Sequence, residues 1–257
     1  MSLILLSGCC LDTAVKQISV AVRPERLAAA SIRSRVVSCN CEILVLMSWT
    51  YTGNDKLARA ATQLYERRPQ PCKISPLVFM SDPERVPDVL AVAQNLPEGA
   101  TLIYRHFGAV DRLVVAEELR QIAFAGNLQF LIGQDIELAK EIGADGVHLP
   151  ERDLPLAAQL RTMYPNWLIS AAVHSPETVR LHVGKDLDAV IASPVFPSKS
   201  KSAGVPMGKL EFSVYVSLSP IGVFALGGIS TQTVDQLVGG GAAGIAGISM
   251  FAGNHGQ

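Results

Sequence analysis

The stretch Ile221-Gly222-Val223-Phe224-Ala225-Leu226-Gly227-Gly228-Ile229-Ser230-Thr231 joins an apolar run of strand length to a two-glycine turn. A helical pattern, Thr231–Val238, comes after it. Strand, turn and amphipathic helix make the repeating unit of a parallel sheet, because parallel strands need a crossover connection. The unit recurs upstream. Apolar runs occupy Leu77–Met80, Ala100–Tyr104, Leu128–Ile132, Gly146–Leu149, Trp167–Val173 and Ala189–Ala192, and a last one covers Ala243–Ile248. Helical patterns separate most of them, at Val86–Gln94, Arg112–Ala125, Ile136–Ile142, Leu156–Met163, Pro176–His182 and Leu210–Val216. Eight short strands alternating with helices predict an α/β protein with a closed, compact (β/α)8 TIM barrel. The rival is an open doubly wound sheet. No G-x-G-x-x-G turn follows the first run, which removes the main support for that rival. The repeat region is shorter than the ~200 residues of an ordinary barrel, so tight loops are expected.

The rest of the chain reads differently. We assign 1–72 to a poorly defined N-terminal extension and 73–257 to the barrel. Residues 1–46 mix cysteines, scattered arginines and a short apolar run, Ile43–Leu46, without clear periodicity. They read as a small or disordered extension, or as sequence ahead of a later start at Met47. Residues 55–67 hold good helix formers with apolar positions near helical spacing. Pro69, Pro71 and Pro76 then mark the entry to the first strand. Leu6-Ser7-Gly8-Cys9 matches a lipoprotein cleavage box, yet no Lys or Arg precedes it and the apolar run before it is too short for a secretory signal. The match reads as chance.

Composition narrows the function. The formal net charge is -1, which lacks the basic excess of a nucleic-acid-binding domain. No apolar stretch approaches the roughly 18 residues of a membrane span. All five cysteines lie at or before Cys72. Cys39-Asn40-Cys41 has the wrong spacing for a zinc site and no histidine beside it. A barrel domain without further cysteine fits a reducing cytoplasm. The expected partner is a small phosphorylated molecule, with no nucleic acid and no membrane; a homo-oligomer stays open.

Function in such a barrel gathers at the C-terminal strand ends. There, Gly227 and Gly228 let backbone N–H groups approach an anion closely. The loop Ser193-Pro194-Val195-Phe196-Pro197-Ser198-Lys199-Ser200-Lys201-Ser202-Ala203-Gly204 adds cations and hydroxyl donors. Ile248 and Ser249 follow the last run, where phosphate sites of barrels commonly lie. Ser81-Asp82, Arg105-His106, Gly133-Gln134-Asp135, His148, Glu151-Arg152-Asp153 and His174 end or follow the other runs.

Five pieces, in order and spacing, carry a resemblance. They are Gly143-Ala144-Asp145-Gly146-Val147-His148-Leu149 with Asp153-Leu154-Pro155, then Ala172-Val173-His174-Ser175-Pro176-Glu177, Ser193-Pro194-Val195-Phe196-Pro197 with Lys201 and Gly208, Leu226-Gly227-Gly228-Ile229, and Gly244 to Phe251. The region from Pro76 to Phe251 resembles the thiamine phosphate synthase / TenI family. The resemblance implies a (β/α)8 barrel that binds a thiazole phosphate. Synthases join it to a pyrimidine diphosphate and release pyrophosphate, with Mg2+ held by two aspartates. TenI members instead move a proton on the thiazole phosphate and need no metal.

The departures decide between these. The synthase pattern Gln-Leu-Arg-Glu-Lys is here Ile103-Tyr104-Arg105-His106-Phe107, which keeps the arginine and loses the lysine. The synthase Asn-Asp is here Gly133-Gln134, with Asp135 one residue on as a substitute. Asp153 matches the second metal aspartate. Losing one carboxylate weakens a hard-cation site. The resemblance implies Arg105, Ser198, Ser200 and Lys201 as diphosphate or substrate ligands, and Gly227, Gly228, Ile248 and Ser249 as the phosphate site. His174 matches the TenI acid–base, and a histidine is suited to moving a proton near neutral pH. The expected function is TenI-like proton transfer without an essential metal. The alternatives are a Mg2+-dependent synthase and a non-catalytic binder of thiazole or thiamine phosphate. Each residue also has an ordinary role: His148 as a packed strand-end residue, Asp153 at a helix start, and Ser230 or Thr231 as a helix cap.

Overall fold

The computed structural model describes residues 56–198 and 204–251, together with the backbone of three strands ahead of them. Those strands are β1 (Gln17–Ile18), β2 (Ser31–Cys39) and β3 (Glu42–Thr50), in an antiparallel sheet of order β1-β2-β3. β2 and β3 pair from Ser31↔Thr50 to Cys39↔Glu42. A hairpin thus occupies sequence in which no periodicity was legible.

The main body is a closed barrel of eight parallel strands: β4 (Leu77–Met80), β5 (Thr101–Tyr104), β6 (Gln129–Gly133), β7 (Gly146–Leu149), β8 (Leu168–Val173), β9 (Ala189–Ala192), β10 (Gly222–Leu226) and β11 (Gly244–Gly247). Each pairs with the next, and β11 closes on β4 through Ile245↔Leu77 and Ala246↔Val78. The expected fold is confirmed, with strand ends within one or two residues of the apolar runs. These strands show no apolar/polar alternation because both faces are covered. One faces the barrel interior and the other faces helices, so nearly every strand residue is buried.

The helices are α1 (Lys56–Glu66), α2 (Val89–Gln94), α3 (Arg112–Ala125), α4 (Ile136–Glu141), α5 (Ala157–Met163), α6 (Pro176–His182) and α7 (Gly208–Leu218). Local chemistry sets their starts. Asp88 caps α2 by accepting the Ala91 N–H at 2.9 Å. That cap begins the helix at Val89, later than the apolar pattern implied. The pattern Thr231–Val238 yields only a 3-10 turn, Val234–Leu237. Thr233 Oγ1 donates to Gly228 O at 2.8 Å and accepts the Ser230 N–H at 2.9 Å, which competes with helical pairing. Gly239 and Gly241, both at φ +78°, then end the segment.

α1 packs against β4, β11 and that short turn. It buries Leu57, Ala58, Ala60, Ala61, Leu64 and Tyr65, the spacing of one helical face. Lys56 Nζ donates to Thr231 O and Asp235 Oδ2, each at 2.6 Å. A helix from ahead of the first barrel strand thus covers the seam where β11 meets β4.

One polar junction braces the opposite wall. Buried Asp188 Oδ2 accepts from Arg161 Nη2 at 2.6 Å and from the Ile169 N–H at 2.9 Å, and Lys73 lies 3.2 Å from its other oxygen. Removing one partner of a buried pair leaves the other charge desolvated. Asp188→Ala is therefore expected to destabilise the barrel by roughly 3–5 kcal/mol in urea unfolding, whereas Glu137→Ala, at an exposed pair, should change it by under about 0.5 kcal/mol.

Candidate active site at the barrel mouth

A cavity of about 750 Å³ opens at the C-terminal ends of the strands. It is bounded by Asp82 and Arg85 after β4, Arg105 after β5, and His174 after β8. The loop after β9 contributes Ser193, Pro194, Pro197 and Ser198; the turn after β10 contributes Gly227, Gly228 and Thr233; the end of β11 contributes Ile248 and Ser249. The expected phosphate residues Gly227, Gly228, Ile248 and Ser249 therefore meet on one wall, with Arg105, His174 and Ser198 on the same cavity. Ser200 and Lys201, like Lys199, lie outside the described residues.

The glycine turn has a steric reason to be glycine. Gly227 and Gly228 sit at φ +96° and +66°. A Cβ on Gly228 would lie 2.4 Å from Pro197 O, and one on Gly227 would lie 2.9 Å from Pro194 Cα. The close approach is stitched by Val195 N–H to Leu226 O at 2.9 Å and Phe196 N–H to Gly227 O at 3.0 Å. Among the described residues, the Gly228 and Ser249 N–H groups have no intramolecular acceptor. Donors without partners on a cavity wall suit an anion.

His174 is exposed to the cavity and held from two sides. Its backbone N–H donates to Glu151 Oε2, and Thr178 Oγ1 donates to Glu151 Oε1 at 2.9 Å. Its ring Nδ1 lies 3.2 Å from Ser193 O. A carbonyl oxygen only accepts, so this contact assigns the proton to Nδ1 and leaves the Nε2 lone pair available as a base.

Arg105 is half-buried at the floor. Its Nε donates to Ser81 O at 3.0 Å, and its backbone N–H donates to Ser81 Oγ at 2.7 Å. Burial lowers its pKa, and Asp82 acts in the opposite direction. His148 lies deeper, with Nδ1 2.9 Å from Ser170 Oγ. Desolvation, aided by the charge on Arg105, pushes its pKa down to about 3. It is neutral at physiological pH and plays the packed strand-end part. His106 is buried against the Tyr104 ring, and burial lowers its pKa too.

Comparison with known proteins places this barrel. The profile of the family described as thiamine monophosphate synthase matches residues 77–251, more than half of the chain. The chain belongs to the thiamine monophosphate synthase family. A relative from Synechocystis, named thiamine-phosphate synthase, is 29% identical over 175 residues, covering 66% of this chain and 50% of that protein. The chain thus spans about half the length of that relative. A protein of Aquifex aeolicus named putative thiamine-phosphate synthase 2 is 32% identical over 137 residues, 53% of this chain and 73% of its own. Among solved structures, thiamine phosphate pyrophosphorylase from Pyrococcus furiosus superposes with a TM-score of 0.58 at 29% identity, covering 67% of this chain and 85% of that one.

In this member of the thiamine monophosphate synthase family, the positions expected to serve a magnesium diphosphate are otherwise engaged. Asp135 caps α4 by accepting the Leu138 N–H at 3.0 Å, and its second oxygen is 2.6 Å from Arg112 Nη1. Asp153 stands on the 3-10 turn Glu151–Leu156 beside Arg152, outside the cavity wall. Phe107, where the resemblance has lysine, lies over Gly133, with the Arg112 guanidinium 5.5 Å from its ring centre. Gln134, at φ +64°, accepts from Arg152 Nη2 at 3.0 Å. Magnesium with a diphosphate is held by about one or two carboxylates, with phosphate oxygens and water completing the shell. Asp82 is the one carboxylate among the described lining residues, and its Oδ1 already accepts the Glu84 and Arg85 N–H groups. No group of three described His, Cys, Asp or Glu side chains is arranged to hold a metal. As placed, Asp135 is paired with Arg112 and Asp153 is not among the cavity-lining residues, so the two do not join Asp82 around one site; Ser200 and Lys201 lie outside the described residues.

Sequence reasoning passed over Arg85 and the bridging role of Glu151. The turn signal Asp82-Pro83 could have located Arg85 at the mouth; Glu151 reaches His174 only through the fold.

Two outcomes are expected. Gly228→Ala should part the turn from Pro197, lowering stability by about 1–3 kcal/mol and weakening phosphate binding. Gly184→Ala, with no heavy atom near its added carbon, should do neither; thermal melts and phosphate titrations check both. Because His148 binds its proton less readily folded than unfolded, its contribution to stability is complete above about pH 6.5 and declines as pH falls toward about 3. His148→Asn should flatten that part of a stability-versus-pH curve.

Proposed function

We propose that this chain binds a thiazole phosphate at the barrel mouth and moves a proton on it, in the manner of TenI members. The observation that carries the reading is the pairing of His174 with the glycine wall across one cavity. The phosphate is bound by the backbone of Gly227, Gly228, Ile248 and Ser249, which holds the ring within the mouth. His174, with Nδ1 turned to Ser193 O, uses Nε2 to take a proton from one position of the bound heterocycle. It then returns a proton to another position of the same molecule, so no atom is gained or lost overall. Glu151 anchors the His174 backbone between β8 and α6. Arg105, cationic on the floor, offsets negative charge that develops in the ring. The engagement of Asp135 and the placement of Asp153 support this reading over a step that needs Mg2+.

A second reading is favoured by the names of the relatives: condensation of the thiazole phosphate with a pyrimidine diphosphate, releasing pyrophosphate, using Mg2+ and Asp153.

The test is kinetic. His174→Ala should keep thiazole phosphate affinity within about threefold while its tautomerisation rate falls by roughly 10²–10⁴. Formation of thiamine phosphate from both precursors, abolished by EDTA and by Asp153→Ala, would establish the synthase instead. Binding without turnover of either kind in the unaltered chain would leave a carrier or regulatory binder.

A further inference from the structure

The phosphate wall described so far offers only neutral donors, backbone N–H groups and one hydroxyl. A phosphate monoester carries about −1.5 to −2 charges near pH 7. Two guanidiniums line the cavity, and Arg105 is spent partly on Ser81 O at the floor. The other, Arg85, stands at the phosphate wall. Its Nη2 donates to Ser249 Oγ at 3.0 Å. A hydroxyl that accepts from a guanidinium still has its own proton to give, so this contact turns Ser249 into a donor for a third group. Arg85 also retains N–H groups beyond the one used, in the planar fork that matches phosphate oxygens.

Among the described residues, no carboxylate forms an ion pair with Arg85. Asp82 Oδ1 accepts the backbone N–H of Arg85 at 3.2 Å, and Val86 N–H donates to Asp82 O at 2.8 Å. These bonds set the turn and leave the guanidinium unpaired. A half-buried cation with no carboxylate partner, hydrogen-bonded to a hydroxyl of an anion wall, is placed for an anionic ligand.

We propose that Arg85, acting beside and through Ser249, is the charged ligand of the phosphate group and sets the preference for a phosphate monoester over its free alcohol. The identity of the ester rests on the thiazole phosphate reading; the anion site does not.

The experiment titrates the full chain, by calorimetry, with thiazole phosphate, with the unphosphorylated thiazole alcohol, and with inorganic phosphate. Arg85→Ala should weaken the ester roughly tenfold or more and leave the alcohol within twofold. Arg85→Lys should recover part of the loss, because it restores charge without the fork. Ser249→Ala should weaken the ester less than Arg85→Ala. The ester preference of the unaltered chain should shrink as salt rises. The proposal is overturned if Arg85→Ala binds the ester within twofold of the unaltered chain, or if it loses ester and alcohol equally with a lowered melting temperature. The proposal is also overturned if the unaltered chain binds neither inorganic phosphate nor the ester. Arg85-dependent binding of inorganic phosphate, with no binding of either thiazole, supports the clamp and sinks the thiazole reading alone.

Discussion

The cavity depends on a carbon atom that is missing. At Gly228 an added Cβ would sit 2.4 Å from Pro197 O, and at Gly227 it would press on Pro194. With hydrogen alone there, the turn after β10 lies flat against the loop after β9, and two N–H···O bonds hold it. That contact sets the height of both walls. On the same walls Ser193 O lies 3.2 Å from the His174 ring, and the Gly228 N–H has no acceptor among the described residues. The tightness has a structural cause that would operate with no ligand at all. The proposed anion site would be a by-product of that glycine packing.

Electrostatics then divides the mouth by depth. Deep in the barrel, burial favours the neutral state, so His148 gives up its proton and is hydrogen-bonded to Ser170. Higher up, Arg105 keeps its charge against a desolvation cost because Ser81 and Asp82 compensate. At the rim, His174 is exposed and positioned by Glu151, and Arg85 faces the wall of donors. The one carboxylate of the described lining is committed to a turn. This gradient suits binding one phosphate and moving one proton. After β5 and β6, Phe107 lies over Gly133 and Arg112 pairs with Asp135.

Much of this was legible in the order of residues. Strands such as Leu77–Met80 and Ala189–Ala192 coincide with their apolar runs, because a strand covered on both faces has no polar face to blur its ends. α3 (Arg112–Ala125) is long enough for its period to be unmistakable. The pattern Thr231–Val238 misled because the hydroxyl of Thr233 diverts backbone groups and three glycines follow. β2 and β3 pair antiparallel, largely within sequence (1–46) where no period was legible.

The sequence by itself determined the barrel, the family, and the residue types at each strand end, since those follow from local periodicity and from motifs read in order. Only the tertiary structure decided which of those residues share a cavity. Asp135 and Asp153 stand near candidate ligands in the chain, yet one is paired with Arg112 and the other is not among the cavity-lining residues. Arg85 and Ser249 are 164 positions apart and touch because β11 closes on β4. Glu151 reaches His174 because β7 pairs with β8. Local pattern fixes a residue's element and facing; ring closure of a sheet fixes its neighbours, and charge and hydrogen bonding depend on neighbours.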